Sequence, residues 1–251
     1  MDFVKMQGLG NDFVVVTGPV ELDTHTIVRW CDRRLGIGAD GVLEVTPLGR
    51  DRIRMRYWNA DGGEAEMCGN GLRCLAALAV GRGWVDERLL VVETAVGDLP
   101  AEVLDDGLVR ALVGEVGVAG VPEEIAGRTI HPISVGNPHA VLFVDDPNQE
   151  PVETLGPRIE HDDRFPHRAN VEFVTPIGPD RIRMRIWERG VGETMASGTG
   201  ATSAAFASVH YRGVEAPVTV ELPGGELLVD FEGDQAWMTG PGVVVYEGTV
   251  D

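Results

Sequence analysis

The chain repeats itself, and that repeat constrains its fold more than any other feature. Asp51-Arg52-Ile53-Arg54-Met55-Arg56 returns as Asp180-Arg181-Ile182-Arg183-Met184-Arg185, an offset of 129 residues. Held without a gap, the offset pairs Trp58 with Trp187, Gly63 with Gly192, Glu64 with Glu193, Gly69 with Gly198 and Gly71 with Gly200. It puts Ser197 at the position of Cys68 and Ser203 at that of Cys74. Looser echoes pair Gly10-Asn11 with Gly136-Asn137 and Val92-Glu93 with Val220-Glu221. A chain made of two such copies is expected to fold as two similar units, and 251 residues suffice for a core in each.

Each copy reads alike. Ile53, Met55 and Tyr57 alternate with Arg52, Arg54 and Arg56, the period of a half-buried strand whose arginines form a solvated face. A glycine-rich turn follows (61–71 and 190–200), then a helix of small and apolar residues over 72–80 and 201–209. Those helices lack a polar face after their first turn, so they are predicted to be buried. Gly81 and Gly83 end the first and Gly213 the second. Strands are expected at 89–93 and 218–222. The fold class is therefore α+β: two pseudo-symmetric lobes, each a mostly antiparallel β-sheet or barrel wrapped on a central buried helix. The N-terminal lobe is expected over 1–118, with a final strand at 241–251 returning to it, and the C-terminal lobe over 119–240. Gly36-Ile37-Gly38-Ala39-Asp40-Gly41 lacks a following helix and a phosphate-loop lysine, so it reads as a tight turn into a strand.

A formal charge of −19 argues against nucleic acid and anionic membranes as partners. The first ten residues carry neither a basic leader nor a long apolar run, so no signal peptide or membrane span is expected. Cys31, Cys68 and Cys74 are an odd count without a repeated spacing. That favours a reducing cytoplasm over a disulfide framework and gives no zinc pattern, so no metal is expected.

The chemistry points to the two helix starts. A cysteine just before a helix meets unpaired backbone N–H groups at the positive end of the helix dipole, which favours its thiolate. Cys68 has that setting, whereas Cys31 and Cys74 read as inert buried thiols. The N–H groups of Gly69, Asn70, Gly198 and Thr199 can bind a carboxylate. If the lobes face each other across a cleft, one carboxylate sits between two helix starts, with Cys68 on one face of its α carbon and residue 197 on the other. That arrangement suits inversion at the α carbon, one group removing a proton and the other delivering one.

Several segments together resemble the diaminopimelate epimerase family. They are Lys5-Met6-Gln7-Gly8-Leu9-Gly10-Asn11-Asp12-Phe13, Asn59-Ala60-Asp61-Gly62, Met67-Cys68-Gly69-Asn70-Gly71-Leu72-Arg73-Cys74, Gly136-Asn137-Pro138-His139, Asn170-Val171-Glu172-Phe173 and Glu188-Arg189-Gly190-Val191-Gly192-Glu193-Thr194. The resemblance runs end to end. It implies an isomerase that needs no pyridoxal or other cofactor and that interconverts LL- and meso-diaminopimelate, for lysine and peptidoglycan synthesis, as a homodimer. By position, Cys68 resembles one of the family's two acid–base cysteines. Gly69-Asn70 and Gly198-Thr199 resemble the carboxylate clamps. Asn11, Asn59, Asn137, Asn170 and Arg189 resemble the shell that orients the substrate, and His139 and Glu188 resemble auxiliary catalytic groups.

The chain departs from the family at three positions. Gln7 replaces a histidine, and Gly41 stands where some members carry glutamine. Ser197 stands where the second catalytic cysteine belongs, and a hydroxyl is poorly matched to general acid–base work. Three accounts stay open: an altered form of an ordinary epimerase, a slower natural member, or a paralogous one-base racemase or dehydratase. A non-catalytic amino-acid binder and a cysteine hydrolase using Cys68 and His139 are the readings from other classes.

Overall fold

The computed structural model describes residues 1–250. They divide into two compact units, Met1–Ala111 with the chain from Thr239 onward, and Leu112–Met238. The division falls within a strand, Val109–Glu115, rather than at the expected joint near Val118.

The first unit runs β1 (Asp2–Gly8), β2 (Asn11–Thr17), α1 (Thr24–Cys31), β3 (Gly41–Pro47), β4 (Arg52–Asn59), β5 (Glu64–Ala65), α2 (Gly69–Gly81), β6 (Leu89–Thr94), β7 (Gly97–Val103) and β8 (Val109–Glu115). Most neighbouring strands are antiparallel, while β2–β3 and β4–β6 are parallel. A parallel pair needs a crossover: α1 lies between β2 and β3 in the chain, and α2 between β4 and β6. Each unit therefore carries a second helix beside the expected central one.

Both sheet faces are covered, which explains why β2 reads as an unbroken apolar run, Phe13-Val14-Val15-Val16. Phe13 and Val15 join the core that holds α2, with Leu43, Ile53, Leu72 and Leu75. Val14 and Val16 join a separate core with Ile27, Trp30 and Cys31 of α1. Asp23 caps α1 by accepting from Thr26 N at 2.7 Å.

The second unit continues with β9 (Gly117–Val118), β10 (Glu123–Ile125), β11 (Arg128–Ser134), β12 (Pro138–Phe143), α3 (Val152–Glu160), β13 (Asn170–Pro176), β14 (Arg181–Glu188), β15 (Gly192–Thr194), α4 (Gly198–Arg212), β16 (Val218–Leu222), β17 (Gly225–Glu232) and β18 (Gln235–Gly240). From β11 onward it repeats the first unit element for element. Its parallel pairs, β12–β13 and β14–β16, match β2–β3 and β4–β6. Ala140, Leu142, Val171 and Phe173 form a core with Leu155 and Ile159 of α3, so the alternate residues of β12 and β13 face the side on which α4 packs. The last strand, β19 (Val243–Thr249), pairs antiparallel with β1.

The repeated arginines bond in the same way in both units. Arg56 pairs with Glu64 at 2.9 Å and Arg185 with Glu193 at 2.7 Å; Arg54 pairs with Glu93, and Arg183 with Glu221. They are a solvated, ion-paired face, as their alternation predicts. No helix among the described residues is long and apolar enough to cross a membrane.

Candidate active site

The two central helices begin alike. Cys68 is the N-cap of α2 (φ −143°, ψ 113°), and its sulfur accepts from Gly71 N at 3.4 Å. Ser197 is the N-cap of α4 (φ −140°, ψ 126°), and its hydroxyl accepts from Gly200 N at 3.3 Å. Glycine lets each first turn close on its sheet. A Cβ at Gly71 would lie 2.9 Å from Leu43, and one at Gly200 only 2.3 Å from Ile186. Gly69, Asn70, Gly198 and Thr199 are the first-turn residues, whose N–H groups have no acceptor within a helix. Cys68 is half-buried and Ser197 buried. Burial pushes the Cys31 thiol up to about 11 and the Cys74 thiol to about 12, which keeps both protonated and unreactive.

In the first unit a directed hydrogen-bond chain passes the thiol. Arg73 Nη2 donates to Asn70 Oδ1 at 2.8 Å, Asn70 Nδ2 to Asn11 Oδ1 at 3.1 Å, and Asn11 Nδ2 to Asp40 Oδ2 at 2.8 Å. The cation at one end and the carboxylate at the other set the sense of both amides. Asn11 Oδ1 is thereby turned to Cys68, whose thiol donates to it at 3.7 Å. Asp40 is held in turn by Arg33 at 2.7 Å. Beside it, burial alone would raise the Asp12 carboxyl, but hydrogen bonds from Arg33 and Lys5 outweigh that and hold it below the ordinary carboxylate range. Burial depresses the Arg73 guanidinium. Asn59 stands apart from this chain, exposed at the end of β4, with its backbone closing the turn at Gly62 and Gly63. Gly41 has no space for a side chain: a Cβ there would lie 2.4 Å from the Trp58 carbonyl oxygen.

In the second unit the expected residues gather at the starts of β12 and β13 and the end of β14. His139 is fully buried, with Nδ1 2.6 Å from Glu172 Oε1 and Nε2 3.0 Å from Asn137 Oδ1. Both ring nitrogens are engaged, so in this state neither is open to a substrate proton. Burial raises the Glu172 carboxyl, His139 opposes that rise, and the nearby Glu188 charge adds to it. Asn170 accepts from Arg189 N at 2.9 Å and donates to Pro138 O at 3.3 Å, so it ties the arginine turn to the Asn-Pro-His turn. Arg189 also donates to His167 O at 3.0 Å, and Glu188 accepts from Thr194 at 2.5 Å.

Asp40, Arg73 and Glu172 were not singled out from the sequence. The available signal was a charged residue inside an apolar or glycine-rich run, which marks a candidate buried and partnered group.

The diaminopimelate epimerase family profile matches residues 3–118 and 132–250. The chain belongs to that family. Family members named diaminopimelate epimerase include one from Heliobacterium modesticaldum, 42% identical with 99% of each chain covered. Another, from Alkalilimnicola ehrlichii, is 45% identical over 99% of this chain and 98% of its own. Among solved structures, a Bacillus anthracis phenazine biosynthesis protein of the PhzF family has a TM-score of 0.74 at 18% identity, covering 100% of this chain and 98% of its own. A hydroxyproline epimerase from Agrobacterium vitis has a TM-score of 0.68 at 17% identity, covering 99% and 91%. At those identities the structures show a shared fold. The family's members are isomerases, and this member carries the paired caps Cys68 and Ser197 described above.

Proposed function

We propose that the protein interconverts LL- and meso-diaminopimelate by acid–base inversion at the α carbon, without a pyridoxal cofactor, in lysine and peptidoglycan precursor synthesis. The observation that carries this reading is the matched pair of helix starts, with Cys68 and Ser197 capping α2 and α4 in the same conformation. The reading requires both starts to reach one substrate. The N–H groups of Gly69, Asn70, Gly198 and Thr199 then hold the reacting carboxylate and stabilise charge spreading onto it from the carbanion. Cys68, as thiolate, takes the α proton from the stereoisomer that presents it; the electron pair stays on the α carbon until a proton returns from either face. Asn11, Asn59, Asn137, Asn170 and Arg189 orient the remaining polar groups, and Glu188 serves as an auxiliary group.

Ser197 makes the two faces unequal. A hydroxyl is hardly ionised at neutral pH, so the carbanion collapses mainly back toward Cys68. Proton NMR in deuterated water, started from each stereoisomer separately, tests this. The expected result is α-hydrogen exchange from one isomer faster than its inversion, with slow exchange from the other. Ser197→Cys should raise inversion by about 10²–10⁴-fold. Equal exchange from both isomers, or no gain with cysteine, overturns the assignment of position 197. Binding with no exchange from either isomer favours an amino-acid binder.

The same reading places the protein in the cytoplasm and pairs it as a homodimer. In support, β19 exposes Val243, Val244, Val245 and Tyr246 in succession, each 42–55% accessible, an apolar run suited to burial by a second copy. Sedimentation equilibrium at the monomer mass overturns the dimer.

A further inference from the structure

The duplication shows an exchange of core residues that the acid–base reading does not use. In the first unit Phe13 lies opposite Gly41 in the β2–β3 pair; in the second, His139 lies opposite Asn170 at the same place in β12–β13. Two residues beyond Gly41 and Asn170 stand Leu43 and Glu172. Phe13 and Leu43 are fully buried members of the apolar core. His139 and Glu172 are just as buried, on the face where α4 packs, and 2.6 Å apart. The second copy therefore carries two ionisable groups where the first packs hydrocarbon, and it bears a desolvation cost that a Phe–Leu pair avoids.

The neighbouring asparagines account for the exchange. In the first copy Asp40 takes the Nδ2 of Asn11 and turns Oδ1 to Asn70 and Cys68, from which it accepts. Ala169 stands at the corresponding place in the second copy and supplies no carboxylate. There His139 Nε2 takes Asn137 Oδ1 instead, at 3.0 Å, and leaves Nδ2 to donate. The two asparagines are thus locked in opposite senses, one as acceptor and the other as donor. A substrate carboxylate needs a donor, which the sense of Asn137 supplies.

We propose that Glu172 and His139 are positioning residues that lock the Asn137 side-chain amide with its NH2 turned to a substrate carboxylate. Burial favours the protonated Glu172 carboxyl, whose O–H donates to Nδ1, so that the imidazole carries its one proton on Nε2 and donates it to the Asn137 oxygen; the low dielectric of the core strengthens both bonds. The proposal rests on the reading of Asn137 as a substrate contact.

The test is calorimetric binding of diaminopimelate, with the melting temperature measured on each variant. His139→Phe combined with Glu172→Leu rebuilds the first copy's apolar pair. It should keep the native melting temperature or exceed it, yet bind about tenfold or more weakly, the weight of one hydrogen bond to a charged group. Glu172→Gln keeps a donor for Nδ1, its side-chain NH2, and should bind within about threefold of native, since one neutral donor replaces another. Asn137→Ala should match the double variant. Native affinity in the double variant overturns the lock while a weakened Asn137→Ala leaves the substrate contact standing; native affinity in Asn137→Ala overturns both. If the double variant does not fold, a tenfold loss in a fully folded Glu172→Gln protein overturns the lock.

Discussion

The three thiols differ in their surroundings, and the difference decides their chemistry. Cys31 and Cys74 sit in apolar cores that push them up to about 11 and about 12, so their thiolates are scarce at neutral pH. Cys68 is half-buried at a helix start with an N–H on its sulfur. Alkylation near neutral pH, followed by peptide mapping, should label Cys68 first, and faster labelling of Cys31 or Cys74 would contradict its assignment. Cys68 and Ser197 were legible as a pair in the sequence because the repeat aligns them. The roles of Asp40 and Glu172 were not, because their partners Asn11 and His139 lie 29 and 33 residues away along the chain. A hydrogen bond between such distant residues leaves no local pattern.

Among the elements, the two central helices were legible and the two crossover helices were not. α2 and α4 follow a glycine-rich turn and are apolar all round, a pattern few other elements share. α1 has only eight residues, and α3 has nine with Gly156 and Pro157 inside, which masks its buried face of Val152, Leu155 and Ile159. Proline and glycine are poor helix formers, so packing against β13 and β14 holds α3 in place. Close approach of backbones makes one sharp prediction. A Cβ at Gly242, just before β19, would lie 2.7 Å from the Arg73 carbonyl oxygen of α2 and 2.9 Å from Cys74 Cα. Backbone atoms cannot swing aside as a side-chain tip can. Gly242→Ala should therefore cost about 1–3 kcal/mol of stability, read from denaturant unfolding; an unchanged midpoint would show that β19 shifts freely over α2.

For the molecule as a whole, 40 acidic residues against 21 lysines and arginines leave a net charge of −19. Arginine–carboxylate pairs on the repeated strands offset part of the repulsion at short range, though exposed pairs contribute little each. Raising the ionic strength from about 0.01 M to 0.15 M shortens the screening length from about 30 Å to about 8 Å. That weakens long-range repulsion more than contacts under 4 Å, so the melting temperature should rise with salt. A falling melting temperature would show that the ion pairs dominate.

The sequence by itself determined the duplication, the α+β class, the burial of the central helices and the matched positions of Cys68 and Ser197 at the helix starts. Each of those is written in short-range periodicity or in alignment of the chain with itself. Only the tertiary structure decided which way the Asn11 and Asn137 amides point, that His139 is enclosed with Glu172, and that Arg73 and Asp40 end one hydrogen-bond chain. Those outcomes depend on which side chains the parallel β2–β3 and β12–β13 pairs bring opposite one another. Register between strands joined by a crossover is set by the packing of both sheet faces, and no local stretch of sequence encodes it.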